Sequence, residues 1–327
     1  MKMTELAKRA GVSVSTVSKA FSGSREISKE KREHIFRVAK EIGCYDKYCK
    51  DVYNGTVIAV ICPEYKSGIY SQQLSILESK IKEKNAIMIV GSTEFEEKRE
   101  VELLTFFSEH SKVDGIISLT QTKSKKKISV PVVTLGNSNI YDCVLVSEEN
   151  AVCEAIALLK NNGHKDIAFI GEPRTTVRCK NFETAMKKNR LAVKKEYIVQ
   201  DEFRFEQAGY NAMNKLLELE KRPTAVIAAY DNIAIGAAKS IQEHGLKVPD
   251  DISLIGSDNN AGMTYLDVPL TSITAYNEDL CDIIVELLFE RIKRPGEHKK
   301  IKILRELIIR ESVGKAPLNN RETNYEY

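Results

Sequence analysis

Residues 5–23 read ELAKRAGVSVSTVSKAFSG. Leu6, Ala7 and Ala10 make one apolar stripe, and Thr4 precedes them as a helix N-cap. Gly11 breaks that helix, because glycine tolerates the positive φ of a tight turn. Ser13 caps a second helix, in which Val17, Ala20 and Phe21 fall at helical spacing, and Gly23 ends it. Residues 27–43, ISKEKREHIFRVAKEIG, continue the pattern. Ser28 caps a third helix whose stripe is Ile35, Val38, Ala39 and Ile42, and Gly43 stops it. Two helices joined by a short glycine turn, with a third closing their core, form a helix-turn-helix. The exposed positions of the second helix are Val14, Ser15, Thr16, Ser18 and Lys19. Small polar groups plus one cation suit a helix entering the major groove of double-stranded DNA.

Charge supports the same reading. The chain has 327 residues and a net charge of +3, unevenly placed. Residues 1–50 hold twelve Lys/Arg against six Asp/Glu, a net +6 that leaves −3 for the remainder. A basic head on a mildly acidic body is the balance of a polyanion reader joined to something else. The length exceeds what one core normally holds, so two or three folding units are expected. With 43% hydrophobic and 29% charged residues the chain is of the soluble globular class. No apolar run approaches the roughly 20 residues of a membrane helix, and the opening MKMTELAKRA has no apolar signal core. A cytoplasmic protein without membrane contact is expected. Its seven cysteines are scattered, without a CxxC, and read as reduced thiols. The five histidines lie far apart, so neither a metal site nor a cofactor is expected.

From residue 56 onward, apolar runs alternate with amphipathic stretches. The runs are 57–61, 87–90, 115–117, 130–133, 167–170, 225–228 and 252–255, and helices are expected near 71–84, 97–110, 149–162, 205–219 and 232–244. Such alternation means parallel sheets covered on both faces, enough here for two subdomains. Open parallel sheets bind ligands beyond their strand C-termini. No nucleophile elbow, P-loop or GxGxxG word occurs, so catalysis is not expected.

The words themselves carry a resemblance. Residues 5–23 and 27–43 closely resemble the head of the LacI/GalR family of bacterial transcription regulators. Gly163–Gly171 (GHKDIAFIG), Arg222–Asn232 (RPTAVIAAYDN) and Val248–Asn259 (VPDDISLIGSDN) resemble words of that family's effector domain. The resemblance implies an N-terminal all-α helix-turn-helix head (1–44) and a hinge (45–55). After these it implies an α/β, two-lobed, periplasmic-binding-protein-like (type I) effector domain (56–314) and a polar tail (315–327). One lobe would hold 56–146 and 275–300, the other 147–274 and 301–314. Val14, Ser15 and Lys19 would read bases. Thr16 and Ser18 would hold phosphates, with Thr4 and Ser13 also at the DNA face. Arg178 and Asp258 would hold the effector, with Tyr70, Tyr230 and Asp231 as further contacts. The implied partners are an operator bound by a homodimer and a sugar-like effector, a sugar or sugar phosphate. A nucleobase, a protein co-regulator, or a plain cytosolic sugar-binding role are the alternatives.

Three departures from the family pattern stand out. Asn181 replaces a usual glycine after the cleft arginine, and Ser147-Glu148 replaces Asp-Asn ahead of a helix. Residues 44–56, CYDKYCKDVYNGT, lack the proline and the leucines of the family hinge. Val52 is its only branched aliphatic side chain, and Asp46 and Asp51 would face phosphates, so little operator bending is expected.

Overall fold

The computed structural model describes residues 2–24, 26–48, 55–111, 113–122 and 128–317. The chain divides into two compact units, Met1–Thr56 and Val57–Tyr327.

The first unit is helical: α1 (Met3–Arg9), α2 (Val14–Phe21), α3 (Lys29–Glu41) and the short α4 (Tyr45–Tyr48). Ser13 Oγ accepts the Thr16 N–H at 3.1 Å, and Ser28 Oγ accepts that of Lys31 at 3.3 Å. Each bond satisfies an orphan donor of a helix start, as expected. Thr4 does not cap α1. The helix begins at Met3 with Lys2 in the cap position and no side-chain cap bond, which leaves Thr4 exposed inside the first turn. Leu6, Val17 and Ile35 are completely buried at the centre of the three-helix core. The head runs past the expected boundary at 44. Tyr45 packs edge-on against Phe36 at 5.3 Å, and Tyr45 and Tyr48 each lie 5.9 Å from Phe21. These rings cover apolar surface that the three helices leave open. The remaining hinge residues 49–54, including Asp51 and Val52, lie outside the described residues, as does the side chain of Asp46.

The second unit alternates strands and helices. Its first half is β1 (Thr56–Cys62), α5 (Gly68–Glu83), β2 (Ala86–Ser92), α6 (Glu97–Thr105), β3 (Gly115–Ser118), β4 (Val132–Leu135) and β5 (Asp142–Ser147). A single π-helical turn, Phe106–His110, extends α6. The second half is α7 (Glu149–Asn161), β6 (Ile167–Gly171), α8 (Thr176–Lys188), β7 (Ile198–Gln200), α9 (Phe205–Leu217), β8 (Ala225–Ala228), α10 (Asp231–Glu243), β9 (Ser253–Ser257) and β10 (Thr271–Thr274). Last come α11 (Asn277–Lys293), β11 (Lys300–Leu304) and β12 (Glu306–Ile308).

Two six-stranded sheets result, ordered β11-β5-β4-β3-β1-β2 and β12-β10-β9-β8-β6-β7. The pairings are parallel wherever a register is defined, except the antiparallel β10–β12 edge. Each sheet is the centre of one lobe. Helix α11 packs Leu280, Ile284 and Leu288 onto the first sheet, although it follows β6–β10 of the second in sequence. The chain therefore crosses between lobes three times: at Glu148, at 275–276 and at Arg305. The last crossing falls later than the expected 300/301 boundary, because all of β11 pairs with β5 from Lys300↔Cys143 to Leu304↔Ser147. Nor does the domain end at 314 as a free tail begins, since the Ala316 N–H donates to Asn162 O at 2.8 Å.

One close approach sets the cleft wall of the second lobe. A Cβ on Gly209 of α9 would lie 1.8 Å from Ile233 O, and one on Gly236 of α10 would lie 1.8 Å from Glu206 O. Only glycine at both positions lets the two helices touch backbone to backbone. Their N-termini then sit together, so that the Phe205 N–H donates to the Tyr230 hydroxyl at 3.2 Å.

Candidate functional site

In the head, α2 presents Val14, Ser15, Ser18 and Lys19 to solvent, with Thr16 half-buried and Val17, Ala20 and Phe21 turned inward. Val14, at the start of that face, is 41% exposed. The hydroxyls of Ser13, Ser15 and Thr16 form one cluster, with Ser13 Oγ 2.8 Å from each of the other two. Ser13 thus serves the helix cap while standing beside the exposed face. Lys19 Nζ donates to the Glu26 carboxylate. The sequence pattern gave no sign of that pair, because Glu26 lies in the loop beyond α2.

In the second unit a cleft of about 510 Å³ opens between the lobes. It lies beyond the C-terminal ends of the strands, as open parallel sheets dictate. Glu64 follows β1, Phe95 follows β2, Glu148 follows β5, Glu172 follows β6, Tyr230 follows β8 and Asp258 follows β9. Of the five residues expected to hold an effector, Tyr70, Arg178, Tyr230 and Asp258 line this cleft. Asp231 does not. It is fully buried in the first turn of α10, where Oδ2 accepts the Asn260 N–H and Oδ1 the Ser272 hydroxyl, both at 2.7 Å. Its carboxylate is used up tying the loop after β9 to β10.

Arg178 and Asp258 meet directly. Arg178 Nη2 donates to Asp258 Oδ1 at 2.7 Å, and Nη1 donates to Ala229 O. Arg305 donates to the same Asp258 oxygen at 3.0 Å and to Ser257 Oγ at 2.9 Å. Glu148 closes the group, 3.7 Å from Arg178 and 3.6 Å from Arg305. Two carboxylates thus face two guanidiniums, and two of the four residues, Glu148 and Arg305, stand at lobe crossings. Burial pulls the Arg178 pKa down, but the charges of Asp258 and Glu148 outweigh it and raise the value above the ordinary one. Burial pushes Asp258 up, yet the two arginines win and hold it below the carboxylate range. Tyr70, beside this group, is pushed up to about 12, chiefly by burial and then by the Asp258 charge.

Sequence reasoning noted Asn181 and Glu148 only as departures from the family pattern. The structure joins them: Asn181 Nδ2 donates to Glu148 Oε1 at 2.9 Å on the cleft wall. A second ionic group was missed entirely. Arg204 donates through Nη1 and Nη2 to both oxygens of Glu64 at 2.7 and 2.8 Å, and through Nε to Glu172 at 3.1 Å. Glu64 belongs to the first lobe, Arg204 and Glu172 to the second. Phe95 lies beneath this bridge, with the guanidinium of Arg174 4.2 Å and that of Arg204 5.5 Å from its ring centroid. Phe95 and its neighbour Glu94 both have positive φ, 65° and 52°. Non-glycine residues so held cost about 1–3 kcal/mol each and persist where the surrounding structure enforces them. Among the described residues no group of three or more His, Cys, Asp and Glu is arranged to hold a metal ion.

Comparison with known proteins agrees with this architecture. Residues 2–45 match the description "Bacterial regulatory proteins, lacI family", and residues 156–313 match "Periplasmic binding protein-like domain". The chain is 30% identical to the HTH-type transcriptional repressor PurR of Histophilus somni, covering 94% of this chain and 98% of that one. It is 29% identical to the ribose operon repressor of Haemophilus influenzae, over 95% of this chain and 98% of that one. Among solved structures, it resembles a LacI family transcriptional regulator of Enterococcus faecalis with bound ribose. The TM-score is 0.69 at 26% identity, covering 81% of this chain and all of that one. These relatives are regulators, and among the described residues no helix is long and apolar enough to cross a membrane. With head, two-lobed body and full-length relatives in agreement, the chain belongs to the lacI family of bacterial transcriptional regulators.

Proposed function

We propose that the chain is a cytoplasmic repressor. It binds a pseudo-palindromic operator as a homodimer and is controlled by a small polyhydroxylated effector in the interlobe cleft. In this reading Val14, Ser15 and Lys19 read base edges, while Thr4, Ser13, Thr16 and Ser18 engage the backbone. Two heads related by a two-fold axis match two half-sites. Arg178 and Asp258 hold neighbouring hydroxyls of the effector, with Tyr70 and Tyr230 as ring walls. The observation that carries the reading is the shared cluster of Arg178, Asp258, Glu148 and Arg305. Two members stand at lobe crossings, so a ligand that re-partners Arg178 or Asp258 acts directly on the strands that set lobe geometry. Differential affinity for two lobe arrangements is what lets a ligand shift the population of operator-binding states.

A ribose-bound structural relative and a relative named as a ribose operon repressor make pentoses the first ligands to try. Thermal shift against D-ribose and a panel of pentoses, hexoses and their phosphates is the test. A native-state ligand at a hundred times its Kd stabilises by about 2.7 kcal/mol. Arg178→Ala and Asp258→Ala should abolish that shift for the ligand that wild type binds, with operator affinity in its absence changed by only a few fold. An unchanged Kd in both variants overturns the assignment.

A further inference from the structure

Lys19 is the cation at the end of the exposed face of α2, and Glu26 holds it. Both side chains are well exposed, at 47% and 68%, so neither is forced into the pair by packing. An exposed pair of this kind is weak and readily exchanged. Its geometry matters more than its strength. A carboxylate within contact of Lys19 Nζ reaches the DNA wherever Lys19 does. Near phosphates that carboxylate is repelled, and it takes from the head part of the charge that drives sequence-independent binding.

We propose that Lys19 and Glu26 act as one reading unit for a G·C base pair, which makes Glu26 a specificity-determining residue of the head. This rests on the head being the DNA-binding element. When Lys19 leaves Glu26 for guanine O6 or N7, the freed carboxylate needs a donor. The N4 amine of the paired cytosine is a donor on the same major-groove edge, and glutamate is a residue type that accepts from it. A G·C pair therefore satisfies both partners as they separate. T·A and A·T pairs offer one amine and a different acceptor layout, and a bare phosphate satisfies Lys19 while repelling Glu26. Discrimination thus comes from a repulsive element as well as an attractive one. The loop that carries Glu26 is held locally, the Glu26 N–H donating to Ser24 Oγ at 3.4 Å and Arg32 donating to Ser24 O at 2.6 Å.

Selection from a randomised double-stranded DNA library, with the full chain as wild type, Glu26→Ala and Lys19→Ala, tests the unit. Wild type should enrich a motif with a fixed G·C pair in each half-site, and both variants should lose the preference at that position. Glu26→Ala should at the same time bind random-sequence DNA about 3–10-fold tighter at low salt, since one repulsive charge is gone. A Glu26→Ala motif identical to wild type, at the same stringency, overturns the proposal. No motif from wild type would instead remove the DNA-binding reading on which it rests.

Discussion

Asp231 carries a carboxylate with little means of stabilising its charge. Burial, and then the nearby charge of Asp258, push its pKa from 3.8 up to about 7, even though the Asn260 N–H and the Ser272 hydroxyl favour the ionised form. The folded chain thus binds a proton at Asp231 over a range where the unfolded chain has released it. Stability from this group is fully present below the unfolded value and is lost as pH rises through about 7. A shift of that size corresponds to at most about 4 kcal/mol. Asp231→Asn keeps the shape, and its amide finds Ser272 Oγ as an acceptor. Wild type should therefore lose more stability than Asp231→Asn between pH 5 and pH 8 in chemical denaturation. Parallel curves would mean that Asp231 does not titrate in that window. The residue matched a family word in the sequence, yet the word encodes a buried tie and not a ligand contact. Sequence gives the residue type at a helix start; it does not tell which way the loop beyond β9 folds over it.

At the scale of elements, the C-terminal segment after β12 is bound into the second lobe by a buried histidine. His164 Nε2 lies 3.1 Å from Gly314 O and 3.0 Å from Ser253 Oγ, and Nδ1 lies 2.9 Å from Thr224 Oγ1. A carbonyl only accepts, so Nε2 carries the proton and Nδ1 accepts from Thr224. Burial lowers the His164 pKa. The unfolded chain therefore binds the extra proton first, and stability from neutral His164 is present above its ordinary 6.5 and lost as pH falls. His164→Ala leaves buried polar partners unmatched, at about 1–3 kcal/mol. Hydrogen exchange should speed up at Gly314 and Ala316 while β1–β4 stay protected; uniform acceleration would place the effect elsewhere. The sequence made β1–β4, β6, β8 and β9 legible, because buried parallel strands read as short apolar runs. It did not reveal β5 and β10, nor β7 and β12, three residues each, nor the edge strand β11, whose side chains alternate between exposed and half-buried. Helices α8 and α11 also escaped; in α11 nine residues are buried, so its apolar positions spread beyond a single stripe. Cleft residues near recognisable words, Arg178 and Asp258, were legible. Glu64, Glu172 and Arg204 were not, because Arg204 meets Glu172 through the fold of its own lobe and Glu64 only across the cleft.

Across the whole effector unit, that closure has a clasp of its own. Glu64 and Arg204 join the lobes through two parallel charge-assisted hydrogen bonds, and Glu172, almost fully buried, holds Arg204 from behind. Glu64 raises the Arg204 pKa above its ordinary value, so the guanidinium stays charged throughout the accessible pH range. A second contact lies at the start of α5, where a Cβ on Gly68 would come within 2.9 Å of the Asn260 side chain of the opposite lobe. Both contacts are made by groups of the protein itself, one from each lobe. Glu64→Gln removes the interlobe charge and leaves Arg204 held by Glu172, which isolates the clasp from the fold. A bidentate charged pair that is mostly buried contributes about 1–3 kcal/mol, so its loss should move the lobe equilibrium toward the open form by about 5- to 150-fold. The chain contains no tryptophan, which makes Phe95→Trp a single reporter at the cleft mouth, beneath Arg174 and Arg204. Phe95 is itself 38% exposed, so acrylamide should quench that tryptophan partially in the effector-free protein and more strongly once Glu64→Gln is added. High salt alone should do less, because a partly buried pair is screened poorly. Equal quenching with and without Glu64→Gln would mean that the lobes close for other reasons and that the bridge forms only as a consequence.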